Sequence, residues 1–237
     1  MHQLTRLDTY TVQARLSPAL LTSLPFGIAI IAFFPEKFIE LTLLLGLAIS
    51  CGTPLLLTGL ARDRGKKKEH ELFDQRTKEP TTQMLRHRDN RINPYTKQRY
   101  HDTLYYLTNL PLPTKAEEYN DPDRADRIYD SCIRRLREAT RNDRLVFNEL
   151  INYGFRRNLW GMKPFGVATA AIGFLATFLA IFLRWNGITN TLVPIIATIL
   201  NGLFLLWWLI WINPDWVRDA AFSYANRLLA ACENFSK

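Results

Sequence analysis

The chain has few cysteines and no pattern among them. Cys51, Cys132 and Cys232 are the three in 237 residues. Their spacing makes neither a disulfide framework nor a metal-ligand motif, and it fits a reduced, cytosolic setting. Alternating apolar and polar residues of the kind that marks strands are missing as well. Charge is absent over four long stretches: residues 16–34, 41–60, 164–183 and 186–213. A bilayer core needs roughly 20 apolar residues as helix, so these runs predict four membrane spans in two hairpins, with Pro18 and Pro25 inside the first. Soluble buried helices seldom stay free of charge for so long. A cleaved leader is a poorer reading of the first run, because the chain before it is long and lacks a short basic region. No span has a central Asp, Glu, Lys or Arg, which argues against a proton-coupled transporter and against acid–base catalysis within the membrane.

What charge there is lies between the hairpins. Residues 61–163 carry 23 Lys/Arg against 16 Asp/Glu, which is +7 of the chain's net +8. Short connections join the spans within each hairpin, "PEK" at residues 35–37 and "RWNGITN" at 184–190. A Lys/Arg excess beside the spans marks the cytosolic side. "RDRGKKK" (62–68) follows the second run and Arg156, Arg157 and Lys163 precede the third, so both termini and the central region are expected in the cytosol. In "NYGFRRNLWGMKPFG" (152–166), Arg156, Arg157 and Lys163 read as interface anchors, and Tyr153, Phe155 and Trp160 suit the headgroup layer. A ligand role for those arginines stays open. Trp207, Trp208, Trp211 and Trp216 read as an aromatic belt at the cytosolic end of the last span.

The expected organisation is a first hairpin with its N-terminal segment (1–60), a basic helical cytosolic domain (61–163), a second hairpin (164–212) and an amphipathic cytosolic C-terminal helix (213–237). In the central region Tyr100, Leu104, Tyr105 and Leu107 give a short helical face. Asp121 caps a helix with Pro122 at its first position. Ala125, Ile128, Tyr129, Cys132, Leu136 and Ala139 line that helix at helical spacing, opposite Arg124, Arg127, Arg134, Arg137 and Arg141. A further helix starts near Asp143 and is expected to run almost into the third span. Residues 78–97, "KEPTTQMLRHRDNRINPYTK", are polar and basic with few large apolar side chains, and read as a loop that only a partner or neighbouring subunit would order. In the tail, Trp216, Ala220, Phe222, Ala225, Leu228, Leu229 and Cys232 form one apolar face, to lie on the bilayer or pack on the central helices.

Several groups carry possible chemistry. "HRDNRIN" (87–93) resembles a kinase catalytic loop, but Pro94 stands where the metal-holding Asn belongs and no DFG follows. His87, Asp89 and His101 offer an acid–base or metal set, against the simpler reading of a polar loop. Asp121, Asp123 and Asp126 suit helix capping at least as well as a divalent ion. Arg86, Arg88, Arg91, Lys97 and Arg99, interleaved with Tyr95, Tyr100 and His101, suit phosphates and unpaired bases; a basic face toward anionic lipid is the competing reading. Within the spans, Thr198 and Asn201 are polar near the middle of the fourth. A buried Asn needs partners, so Asn201 is expected to face protein or water, and with Thr198 to line a pore if several copies assemble. Packing through small residues is the alternative.

Four segments are similar to a known group: "ARLSPALLTSLP" (14–25), "NPYTKQRYH" (93–101), "LPLPT" (110–114) and "NYGFRRNLWGMKP" (152–164). They resemble small bacterial four-span membrane proteins of anti-phage defence, most of all the membrane channel effector of the Hailong system. The resemblance implies a homo-oligomeric ion channel of the inner (plasma) membrane, gated by a nucleic-acid oligomer made or withheld by a cytosolic nucleotidyltransferase partner. It supplies no residue roles. The expectation is thus an all-α integral membrane protein with four transmembrane helices in two hairpins and a helical cytosolic domain between them. It would be a non-enzymatic pore without cofactor, gated by a nucleotide or short DNA. The alternatives are a membrane-bound enzyme on a lipid or nucleotide substrate using His87, Asp89 and His101, and a non-catalytic anchor for a cytosolic partner.

Overall fold

A computed structural model describes residues 9–33, 53–73, 78–184 and 192–235, and every regular element among them is helical. A π-helical turn, Thr11–Leu16, leads into α1 (Ser17–Phe33). There follow α2 (Thr53–Leu72), α3 (Pro80–Leu85), α4 (Pro94–Thr108), α5 (Lys115–Asn120) and α6 (Pro122–Ala139). The 41-residue α7 (Arg144–Arg184), α8 (Leu192–Ile210), α9 (Pro214–Ala230) and a 3-10 turn (Ala231–Asn234) complete the chain. Three of these helices are long and apolar enough to cross a membrane, within Thr11–Phe33, Arg144–Phe182 and Leu192–Ile210. Most of the run 41–60 lies outside the described residues, as do Cys51, the 35–37 connection and residues 185–190 of the other.

The chain divides into two compact units: Met1–Glu69 with Gly154–Val217, and His70–Tyr153 with Arg218–Lys237. The first is built inside out. Many of its buried positions are small or mildly polar, such as Ala29, Ala32, Ala170, Thr177 and Ala197, while Leu24, Phe26, Leu175, Phe178, Ile199 and Leu203 are exposed. Exposed apolar surface on this scale marks a membrane-facing or partner-facing surface, and small residues at helix contacts are how membrane helices pack.

The contacts fix the direction of each helix. On α7, Gly166 receives the ring of Trp208, and a Cβ on Gly173 would lie 3.0 Å from Asn201 Oδ1. Gly166 and Gly173 are seven residues apart, as are Asn201 and Trp208, and the pairs run in opposite order, so α7 and α8 are antiparallel. Lys163 Nζ closes this seam by donating to the Leu209 and Ile212 carbonyls, at 3.1 and 2.6 Å, at the C-terminal end of α8. α1 runs parallel to α7: Asn158 Nδ2 donates to Ala14 O at 2.6 Å, and Thr169 Oγ1 to Thr22 O at 2.6 Å. α2 is antiparallel to α7, joined by Arg157 to Glu69 at 2.9 Å and by a close backbone approach. A Cβ on Gly161 would lie only 2.5 Å from Gly65 N.

The tryptophans therefore do not act alike. Trp208 is wholly buried on Gly166, whereas Trp211 is exposed. Trp207 stands edge-on to Phe204 and Trp208. Trp160 is buried with Lys68 Nζ over its ring, and Arg156 lies over Trp216 and donates to its carbonyl at 3.1 Å.

In the second unit the predicted α6 is present, with Asp121 accepting from Arg124 N at 2.9 Å and Pro122 in the first turn. Tyr129, Cys132, Ile133 and Leu136 are buried from α6, and Leu228, Leu229 and Cys232 from the C-terminal residues. The expectation of a loop over residues 78–97 is corrected: α3 and the start of α4 lie there, and Thr81, Thr82, Met84, Leu85 and Ile92 are buried. The segment is ordered by polar pairing within the chain rather than by apolar periodicity.

The seam gives a direct test. Gly166→Leu places a side chain where the Trp208 ring sits. Overpacking of this kind costs roughly 1–3 kcal/mol, so the SDS fraction that unfolds the detergent-solubilised protein should fall. An unchanged midpoint would show that Trp208 does not pack on Gly166.

Candidate anion-binding cleft

Helix caps position the turn between α3 and α4. Asn93 Oδ1 accepts from Tyr95 N at 3.0 Å to start α4, with Pro94 in its first turn. Thr114 and Glu117 form a reciprocal capping box at α5, a pattern that satisfies two otherwise orphaned N–H groups. Between these caps, residues 86–93 are held from beneath. Arg86 Nε and Nη2 donate to the two carboxylate oxygens of Asp126 at 2.8 and 2.6 Å, and both side chains are nearly shut from solvent. Lys97 Nζ donates to the Arg86 carbonyl at 2.6 Å and to that of Asp89. Glu118, itself buried, accepts from His87 N at 2.8 Å and from the Tyr129 hydroxyl at 2.9 Å.

Burial sets the protonation states. It pushes the Lys97 ammonium below its usual range, against the opposing pull of Asp89 and Glu118. It raises the Tyr129 phenol, helped by Glu118, so Tyr129 stays a donor. Burial lowers His101 to about 4, although its hydrogen bond to the Leu85 carbonyl opposes the shift. His101 Nε2 lies 2.9 Å from Leu85 O, and His87 Nε2 lies 2.9 Å from Pro113 O. A carbonyl only accepts, so both Nε2 atoms carry the proton in the neutral ring. The two rings meet edge to face at 5.0 Å. Burial also raises the Cys132 thiol, and Cys232 to about 12, which leaves these two unreactive at neutral pH.

The five cations singled out in the sequence do not form one patch. Arg86 and Lys97 are internal struts. Arg91 pairs with Asp89 and lies 4.3 Å over the Phe222 ring, while Arg99 pairs with Glu233 at 2.9 Å. Among the described residues only Arg88 of the five has an exposed guanidinium without a carboxylate partner, while its backbone N–H lies 3.5 Å from Glu118 Oε1. It faces a cleft of about 600 Å³ lined by His87, Lys115, Glu118, Tyr119, Asn120 and Pro122. Lys115 adds a second exposed cation and Tyr119 an almost fully exposed ring. Two cations beside an aromatic face suit an anion with a planar body. Lys115 and Tyr119 escaped sequence reasoning, although the Thr-x-x-Glu signature beside them was readable.

His87, Asp89 and His101 share this region, but the Asp89 carboxylate bonds the Arg91 side chain and N–H. Among the described residues no group of three or more His, Cys, Asp or Glu side chains is gathered to hold a metal. In the apolar unit, Thr198 Oγ1 donates to Pro194 O at 2.8 Å. Asn201 is wholly buried, and among the described residues neither of its amide atoms has a hydrogen-bond partner. No protein-family model, curated protein or solved structure matches the chain.

Two measurements test this frame. Arg86→Ala leaves Asp126 buried and unpaired, and should destabilise the protein by about 3–5 kcal/mol, read from its unfolding midpoint. For His101, the unfolded chain binds a proton near pH 6.5 and the folded chain only near 4. Stability is therefore intact above about pH 7 and declines as pH falls toward 4, by roughly 3 kcal/mol. A melting series from pH 7.5 to 4 should show that decline, and His101→Gln should flatten it.

Proposed function

We propose that the protein is an oligomeric ligand-gated channel, with four spans in two hairpins and its helical unit and both termini in the cytosol. Three membrane-length helices support this reading. Helix directions add to it: α1 and α7 run one way, and α8 and the mostly polar α2 run the other. The observation that carries it is Asn201. A buried amide with no partner costs about 1–3 kcal/mol, so this packing is one that a second helix arrangement, or a neighbouring copy, relieves. Thr198 and Asn201 are the proposed polar groups of the pore. The ligand is an anion, a nucleotide or short oligonucleotide, entering the cleft of Arg88, Lys115 and Tyr119. The resemblance noted in the sequence adds a setting: the inner membrane of a bacterium, depolarisation as an anti-phage response, and a nucleotidyltransferase as partner. The enzyme reading rests on the His87–His101 pair and competes less well, since both Nε2 atoms are committed to carbonyls.

Planar-bilayer recording of the purified protein, with and without nucleotides and short DNA oligomers, tests the proposal. Discrete conductance that rises with ligand is expected. Arg88→Ala removes a charge-assisted contact worth about 1.5–3 kcal/mol, so half-activation should need roughly 10- to 100-fold more ligand. Silence from verified inserted protein under every ligand would reject the channel, and an unchanged Arg88→Ala response would reject the cleft.

A further inference from the structure

We propose a second anion site in the cytosolic-type unit, one that binds a phosphate-bearing group between Lys78 and Arg134. It shares no lining residue with the Arg88 cleft and does not depend on the channel reading. The cleft encloses about 590 Å³ and is lined by His70, Phe73, Lys78 and Glu79 on one side, and by Asp130, Ile133, Arg134 and Arg137 of α6 on the other. Its charges are unevenly engaged. Glu79 accepts from Arg137 Nη2 at 2.6 Å, and Asp130 accepts the Thr82 hydroxyl. Arg137 is bonded further by Tyr224. Glu79 is therefore ion-paired, and Asp130 is bonded through one oxygen to a neutral hydroxyl. Among the described residues, the Lys78 ammonium and the Arg134 guanidinium have no carboxylate partner.

The backbone adds an independent observation. Lys78 sits in the left-handed region at φ 51°, where a lysine is uncommon. Gln83 Nε2 holds this conformation by donating to the Lys78 carbonyl at 3.0 Å. Unfavourable backbone states persist where the surroundings enforce them, and they cluster at ligand sites. Here the enforced turn leads into α3 through Glu79 and Pro80 and sets Lys78 on the same cleft as Arg134. A guanidinium gives paired donors to phosphate oxygens and an ammonium gives a point charge. Phe73 and Ile133 wall the cleft with apolar surface, and His70 adds a donor at its edge. The ligand chemistry is a phosphate monoester or diphosphate, carried by a lipid headgroup or by a soluble molecule.

The test uses full-length protein in zwitterionic detergent. Pyrophosphate should raise its melting temperature saturably. Lys78→Asn combined with Arg134→Gln should weaken that response at least tenfold. Asparagine tolerates the left-handed turn, so the fold is retained, and the melting temperature without ligand checks this. Arg144→Gln, at an exposed cation that lines neither cleft, should leave the response unchanged. A parallel arm asks whether phosphatidic acid, doped into phosphatidylcholine nanodiscs holding the protein, competes with pyrophosphate. Competition that the double variant loses assigns a lipid headgroup, and pyrophosphate binding without it assigns a soluble phosphate. No saturable shift by pyrophosphate, or a shift the double variant keeps, would overturn the site. Loss of the shift in Arg88→Gln instead would place phosphate in the other cleft.

Discussion

Two glycines on α7 fix the apolar unit. Gly166 and Gly173 are notches one heptad apart, and they take the Trp208 ring and the Asn201 amide from an antiparallel helix. A side chain at either notch would hold α8 away, and the contacts along the rest of the seam depend on that approach. Ala180 and Pro194, one heptad further in the same register, are buried as well. Lys163 then binds carbonyls left open at the end of α8, a favourable place for a cation. Because glycine, alanine and threonine fill much of the interior, many large apolar side chains are left on the outside. Lipid tails are as apolar as leucine, so nothing drives those side chains inward, and close backbone packing with interhelical hydrogen bonds must hold the helices together.

The second unit solves the opposite problem. It must fold with few large apolar residues between 78 and 97, and it does so by burying polar groups in mutually satisfied sets. Arg86 with Asp126, Lys97 with two carbonyls, and Glu118 with His87 N and Tyr129 leave little unpaired. Such networks are costly when half-made and rigid when complete. Rigidity is what a binding turn needs, since the ordering cost is met before the ligand arrives. Arg88 sits at the centre of this turn without a carboxylate of its own. Four neighbouring charged residues are committed to holding or flanking it, and their abundance in the sequence overstated how many cations remain to bind anything.

Three membrane-length helices were legible because length and absence of charge suffice to read them, and α6 was legible because its cap, proline and apolar stripe are all local. The order of residues 78–97 was not, because Arg86 meets a carboxylate 40 positions away and no local pattern encodes that pairing. The packing of Trp208 was hidden for a related reason: residue type carries no sign that its ring lies opposite Gly166. The seven-residue spacing of small residues on α7 was visible, yet it acquires meaning only beside the same spacing on α8. Arg88 was among the expected cations, but what distinguishes it from Arg86 or Arg91 is the partner each has, which is a tertiary fact.

Energies of similar size meet on the channel reading. An unpaired amide at Asn201 biases one helix packing against another by about 1–3 kcal/mol. A ligand shifts such an equilibrium only by its difference in affinity for the two states. One charge-assisted contact at Arg88 is worth about 1.5–3 kcal/mol, so a ligand that makes it in one state alone moves the balance by 10- to 100-fold. A resting population of about 1% would then become comparable with its competitor, and a second cation such as Lys115 would carry it further. The apolar unit therefore needs no charge in its spans to be switched. It needs a packing left slightly unsatisfied, and Asn201 against Gly173 is such a packing.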